Sequence, residues 1–188
     1  METKAIIFSA PSGAGKTTIV RALLEQNLPM EFSISATSRE PRGAEEHGKD
    51  YYFLGINGFK LAIDNDELLE WEEVYPNQFY GTLNRETNRI WKSGKAVIFD
   101  VDVYGGIEIK KKLGENALSI FVKPPNMEAL EQRLTTRGTE TQEKIKVRLA
   151  KAEQELALSP EFDFILTNDD LESAIYQAAE RIKAFLTK

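Results

Sequence analysis

The sequence predicts an α/β fold: a parallel sheet with helices on both faces. Three observations lead there. Short apolar runs such as "AVIFDVD" (Ala96–Asp102), "ALSIFVKP" (Ala117–Pro124) and "FDFILTN" (Phe162–Asn168) lack the polar alternation of a half-solvated strand. They suit strands buried on both faces. Helical patterns separate these runs, and strand–helix alternation is the mark of this class. Third, the first apolar run ends abruptly in small residues followed by a helix, in "KAIIFSAPSGAGKTTIVRALL".

Taken in order, "KAIIFSA" reads as a strand, Lys16–Gln26 as a helix and "FSISA" (Phe32–Ala36) as a second short strand. Helices follow at "LNRETNRIWKSG", "YGGIEIKKKLG", "NMEALEQRLTTRG", Gln142–Leu158 and Leu171–Leu186. From Arg39 to about Thr82 the rhythm breaks. That stretch is rich in aromatics, charges, Gly and Pro, and reads as an inserted small α+β subdomain. At 188 residues the chain suits a single domain with a sizeable core.

Composition narrows the chemistry. With no cysteine, disulfides, thiolate metal sites and cysteine nucleophiles are excluded, and the one histidine, His47, cannot build a His-rich metal site. The net charge of −6 argues against nucleic-acid binding driven by phosphate neutralisation. No apolar run reaches the roughly 18 residues of a membrane span. "METKAIIF" lacks the layout of a signal peptide, so a cytoplasmic location is expected.

Ala10, Pro11, Ser12, Gly13, Ala14, Gly15, Lys16 and Thr17 spell "APSGAGKT", which matches G-x-x-x-x-G-K-[ST] save for Ala10 at the first glycine. Small residues let backbone N–H groups close around a phosphate, and the helix N-terminus adds its dipole and unpaired N–H groups. Lys16 can then reach phosphate oxygens and the Thr17 hydroxyl can ligate Mg²⁺. "VIFDVD" ends a buried strand with Asp100 and Asp102, two residues apart and on one face. Asp100 can serve the metal through water; the alternative for this pair is capping the helix that follows.

Arg39 and Arg42 flank Pro41 in "REPRG", where guanidiniums could bind phosphate or simply line a solvated turn. Tyr51 and Tyr80 add hydroxyls within the insertion. Arg133, Arg137 and Arg148 surround a Gly–Thr turn; an exposed helical hairpin or a phosphate-closing lid both fit. Glu70 in "LLEWEEV" reads, from the pattern alone, as a surface carboxylate on a strand.

From about Lys4 to Lys183 the chain resembles the guanylate kinases, which transfer phosphate from ATP to GMP. The resemblance rests on "SAPSGAGKTT", "SATSREPRGAEEHGKDYYF", "LLEWEEVYPNQFYGT", "VIFDVDVYGG", "RLTTRGTETQEKIKVRL" and "FILTNDD", in that order. It implies a P-loop core (1–32, 83–125 and 159–188), a GMP-binding insertion (33–82) and a helical lid (126–158). It implies that Lys16, Thr17, Thr18 and the loop backbone hold ATP with Mg²⁺, the metal on Thr17 and Asp100. Ser35, Arg39, Arg42, Tyr51 and Tyr80 would surround the GMP phosphate, and Glu70 and Thr82, with Asp102, would read guanine. Arg137 and Arg148 would reach the phosphate chain, Lys16 and Arg39 would share in catalysis, and Asn168 would lie near adenine. The substrates are then the small molecules GMP and ATP, with no nucleic acid and no membrane. A phosphopeptide-binding module that has lost catalysis and a ribose-bisphosphate kinase of similar fold are the other readings of this pattern. The intact Lys16–Thr17 pair and "LEWEEV" with "YGT" favour the GMP kinase.

Overall fold

The computed structural model describes residues 3–136 and 142–188. Along the chain run β1 (Ala5–Ser9), α1 (Lys16–Leu24), β2 (Met30–Phe32), β3 (Ala36–Thr37), β4 (Tyr52–Phe53) and α2 (Gly55–Asp64). Then come β5 (Leu68–Tyr75), β6 (Gln78–Leu83), α3 (Asn84–Lys92), β7 (Ala96–Asp100), α4 (Val103–Leu113) and β8 (Ala117–Lys123). The chain closes with α5 (Met127–Thr136), α6 (Gln142–Ala157), β9 (Phe164–Thr167) and α7 (Leu171–Leu186). One sheet has the order β2-β7-β1-β8-β9 and a second has the order β4-β3-β6-β5. The chain divides into two compact units, one of residues 1–4 and 29–97, the other of 5–28 and 98–188.

In the second of these units the buried runs form the expected sheet. β1 pairs in parallel with β8, from Ala5↔Ala117 to Ser9↔Phe121, and β8 pairs in parallel with β9. Ile6, Ile7, Phe8, Ile120 and Phe121 are fully buried, as strands covered on both faces require. Ile19, Val20 and Leu23 of α1 and Ala174, Ala178, Ala179 and Ile182 of α7 supply helix faces to this core. α4 lies close against β1: a Cβ at Gly106 would stand 2.2 Å from Ser9 Oγ. Ser9 Oγ in turn donates to Asp102 O at 2.8 Å, which pins the end of β7 and the start of α4. α5 and α6 share a small core of Leu130, Leu134, Ile145 and Ala152.

The other unit holds the mixed four-stranded sheet. β3 runs parallel to β4 and antiparallel to β6, and β5 is antiparallel to β6. Its core is Ala36, Phe59, Ala62, Leu68, Phe79 and Leu83, with Phe59 and Phe79 stacked 5.5 Å apart. α2 is an element the sequence pattern did not announce; its Phe59 and Ala62 make the buried stripe. Gly81 is forced by register, since a Cβ there would come 2.5 Å from Glu70 O across the ladder.

The single strand expected over Phe32–Ala36 is broken. β2 ends at Phe32 and β3 begins at Ala36. The Ile34 N–H donates instead to Glu86 Oε1 at 3.3 Å, so a side chain replaces the strand ladder there. Glu86 is buried and also accepts from Tyr52 Oη at 3.0 Å and from Arg89 Nε and Nη2 at 3.0 and 2.9 Å. Burial pushes this carboxyl up, but Arg89, Tyr52 and the Ile34 N–H outweigh it and hold it below its ordinary value.

Candidate active site

The loop between β1 and α1 is shaped for an anion. Gly13 and Gly15 both sit at φ 94°, which a side chain would strain. A Cβ on Gly15 would also lie 2.3 Å from Asn168 Nδ2. α1 begins with no side-chain cap and no acidic residue in its first turn, so its first N–H groups are left to a ligand. Ala10 and Pro11 are buried at the end of the strand, while Thr17 and Thr18 face solvent.

Asp100, at the end of β7, meets this loop. Lys16 Nζ pairs with Asp100 Oδ1 and also donates to Val101 O at 2.9 Å. Thr17 Oγ1 donates to Asp100 Oδ2 at 3.0 Å. A lysine, a hydroxyl and a carboxylate thus converge from two chain segments more than 80 residues apart. Asp102 does something different: it caps α4, accepting from Gly105 N at 2.7 Å. Among the described residues no group of three or more His, Cys, Asp or Glu could enclose a metal. The Thr17 and Asp100 oxygens are hard donors, and Mg²⁺ takes few protein ligands, filling its other positions from water and phosphate. The donor set therefore fits that ion.

Asn168 is buried where β9 ends and ties the loop down, its Nδ2 donating to Ala14 O at 2.8 Å. Arg133 of α5 joins the same point through Asn168 O at 2.8 Å and Ala14 O at 3.4 Å. These residues line a cleft of about 670 Å³ together with Gly13, Gly15, Thr18, Pro125, Gln132 and Asp169. In the sequence Arg133 fits a helical hairpin or a lid, with nothing to tie it to Ala14 and Asn168; these partners lie 119 and 35 residues away, so spacing alone carries no signal. Arg148 of α6 donates to Ser12 Oγ at 2.5 Å. Arg137 lies outside the described residues. Glu155 of α6 is also buried; burial raises its carboxyl above the ordinary value, with Lys151 opposing and Asp102 reinforcing the shift.

Within the unit that holds the four-stranded sheet, two further groupings appear. Arg39 Nε donates to Tyr80 Oη at 3.1 Å, and the guanidinium lies 4.9 Å from the Tyr51 ring centroid. The Arg39 Nη atoms grip Glu45, whose other contact is the backbone N–H of Arg42 at 2.8 Å. Ser35 stands on the segment before β3, its carbonyl accepting from Tyr52 N at 2.8 Å. Glu70 and Thr82 face each other across the β5–β6 ladder, both buried, with Thr82 Oγ1 donating to Glu70 Oε1 at 2.7 Å. The surface position that pattern alone suggested for Glu70 is thereby replaced by an interior one. Thr82's proton is spent on Glu70, which leaves its lone pairs to accept.

Comparison with known proteins fits this geometry. The guanylate kinase family model matches residues 2–185. A guanylate kinase of Bacteroides thetaiotaomicron is 54% identical over 188 residues, all of this chain and 92% of that protein. One from Porphyromonas gingivalis is 49% identical over 187 residues, 99% of this chain and 100% of its own. The crystal structure of guanylate kinase from Anaplasma phagocytophilum superposes with a TM-score of 0.78 at 27% identity, covering 98% of this chain and 87% of that one. Neither the inactive phosphopeptide module nor the ribose-bisphosphate kinase is favoured by these matches. The chain belongs to the guanylate kinase family.

Proposed function

We propose that this ATP:GMP phosphotransferase carries out its reaction with the residues assembled above, in the following roles. The backbone of Ala10–Thr18 and the Lys16 ammonium hold the ATP phosphates. Adenine occupies the cleft beside Asn168 and Arg133. Arg39, Arg42, Tyr51, Tyr80 and Ser35 hold the GMP phosphate, and Glu70 with Thr82 and Asp102 reads guanine. Arg137 and Arg148 neutralise the phosphate chain. In these terms residues 33–82 are the GMP-binding segment and 126–158 the lid, within one domain.

Thr17 and Asp100 would hold Mg²⁺, which when bound supplies charge neutralisation to the ATP phosphates. The protein's own work is positioning. A phosphate monoester has its second pKa near 6, so GMP arrives as a ready nucleophile and needs no strong general base. Its oxygen attacks the ATP γ-phosphorus in line; the bond to the ADP leaving oxygen breaks as the new P–O bond forms. Two anions must approach, so arginines and Lys16 offset their repulsion and then stabilise the spreading charge. The reaction does not require His47, whose Nδ1 accepts the Phe53 backbone N–H at 3.2 Å.

The observation that carries the reading is the Lys16–Asp100–Thr17 cluster on an uncapped helix N-terminus. No helix among the described residues is long and apolar enough to cross a membrane. Free ATP and GMP are pools of the cell interior, so a cytoplasmic location belongs to the same proposal. ADP release measured with AMP, GMP, CMP and UMP, with and without a Mg²⁺ chelator, tests it. Turnover is expected with GMP alone and only with Mg²⁺; equal turnover of AMP, or activity after chelation, refutes the corresponding role.

A further inference from the structure

Arg39 is held more tightly than a phosphate-binding arginine needs to be. Its Nε donates to Tyr80 Oη at 3.1 Å. Nη1 donates to Glu40 O at 3.0 Å and to Glu45 Oε2 at 2.6 Å, and Nη2 donates to Glu45 Oε1 at 2.9 Å. One Nε bond, two Nη1 bonds and one Nη2 bond use four of the five N–H groups that a guanidinium carries. The pair with Glu45 is the two-point, fork-on-fork arrangement that fixes a guanidinium in plane. The Tyr51 ring, 4.9 Å away, and the Phe53 ring, 5.5 Å away, flank it further.

The same carboxylate reaches the second arginine of the pair. Arg42 N donates to Glu45 Oε2 at 2.8 Å, and Glu45 N donates back to Arg42 O at 3.1 Å. Glu45 therefore links the side chain of Arg39 to the backbone of Arg42. Tyr80 completes the picture. Its hydroxyl accepts from Arg39 Nε and from Gln78 Nε2 at 3.0 Å, so both lone pairs are engaged and its proton must point elsewhere.

We propose that Glu45 is a positioning residue for GMP: it locks Arg39 and the Arg42 turn so that the last Nη2–H of Arg39 and the Tyr80 O–H stand as a preset pair of phosphate donors. This rests on the reading of Arg39 and Arg42 as groups for the GMP phosphate. Glu45 carries its charge throughout the working range, because the Arg39 bonds first and the Arg42 N–H second hold its carboxyl at about 2. A carboxylate beside a phosphate site also repels the incoming dianion. The geometry favours locking over competition, since four acceptor oxygens, from Tyr80, Glu40 and both arms of Glu45, converge around the guanidinium plane, and a long flexible side chain gains most from being held before binding.

Steady-state kinetics on Glu45→Gln, Glu45→Asp, Arg39→Ala and the double variant Arg39→Ala/Glu45→Gln test this. Glu45→Gln keeps the size but loses the charge and puts an amide against the guanidinium. It should raise KM for GMP about tenfold, with kcat changed less than about threefold and KM for ATP unchanged. Glu45→Asp keeps the charge but is too short for both Nη atoms, and should fall between. In the Arg39→Ala background Glu45→Gln should add little, because the two act as one unit. Should Arg39→Ala raise KM for GMP while Glu45→Gln and Glu45→Asp leave it unchanged or lower it, Glu45 is a bystander or a competitor and the inference is wrong. Should Arg39→Ala itself leave KM for GMP unchanged, the phosphate reading fails first. Additive effects in the double variant would also overturn the inference, since Glu45 would then act without Arg39.

Discussion

Replacing Glu70 by alanine tests how this enzyme chooses its base. Guanine presents two adjacent donors, N1–H and the C2 amine, which a carboxylate can accept in one plane. Adenine has a lone pair at N1 and no amine at C2. Glu70 is 9% exposed, so a mismatch there cannot be repaired cheaply by solvent. Thr82 Oγ1, 2.7 Å from Glu70 Oε1, holds the carboxylate in orientation from the facing strand. Removing one partner of a desolvated, charged hydrogen-bonded pair costs about 2–5 kcal/mol. At about 1.4 kcal/mol per decade, kcat/KM for GMP should drop roughly 30-fold to 4,000-fold. The fold should survive: the loss orphans the buried Thr82 hydroxyl at a cost of about 1–3 kcal/mol, less than the total stability of an ordinary domain. Adenine loses no hydrogen bond when Glu70 goes and is freed from facing its carboxylate, so kcat/KM for AMP should not fall while the preference for GMP collapses. Glu70→Gln, which sets an amide against guanine's donors, should raise KM for GMP more than KM for ATP. The assay is steady-state ADP release with GMP and with AMP for wild type and both variants, with a thermal melt as the folding control. A folded Glu70→Ala that keeps its preference for GMP over AMP would show that guanine is read elsewhere.

Two other outcomes are expected. Lys16→Ala should lower turnover by orders of magnitude with the melting temperature little changed, because among the described residues the Lys16 ammonium hydrogen-bonds Asp100 and Val101 O at the loop rather than packing into the core; near-normal GMP-dependent ADP production would remove it from the mechanism. Glu86 has a native carboxyl held below its ordinary 4.5, so the stability it adds is present above that value and is lost as pH falls through the native one. The melting temperature of wild type should therefore fall more steeply below about pH 4.5 than that of Glu86→Gln; parallel curves would mean that the Glu86 network does not set acid sensitivity.

What could be read from the residue order follows short-range rules. The strand–loop–helix at Ala5–Leu24 was legible because burial on both faces, small residues and a helix start are each signalled within a few positions. β7, β8 and β9 were legible for the same reason, and so was the pairing of chemistry at Lys16, Thr17 and Asp100 once a strand end was known to face the loop. Asp102 was legible as a cap for the following helix, and the hydrogen bond from Gly105 N to its Oδ1 shows that it caps α4, a contact compatible with the guanine role proposed for it.

Other features depended on partners far along the chain. Glu70 looked like a surface residue until the β5–β6 register, with its irregularity between Leu68 and Glu70, set it opposite Thr82. β2 and β3 belong to different sheets, and between them the Ile34 N–H donates to Glu86, 52 residues away. Arg133 acquired its place from carbonyls at Ala14 and Asn168. Glu45 lies only six residues from Arg39, yet no periodicity brings them together; the turn around Arg42 and the rings of Tyr51 and Phe53 do. The physical distinction is one of range. Propensity, periodicity and capping act over a few residues and are written in the local order. A buried polar group takes whichever partner the fold delivers, and its cost if unpaired makes that choice specific without leaving a local trace.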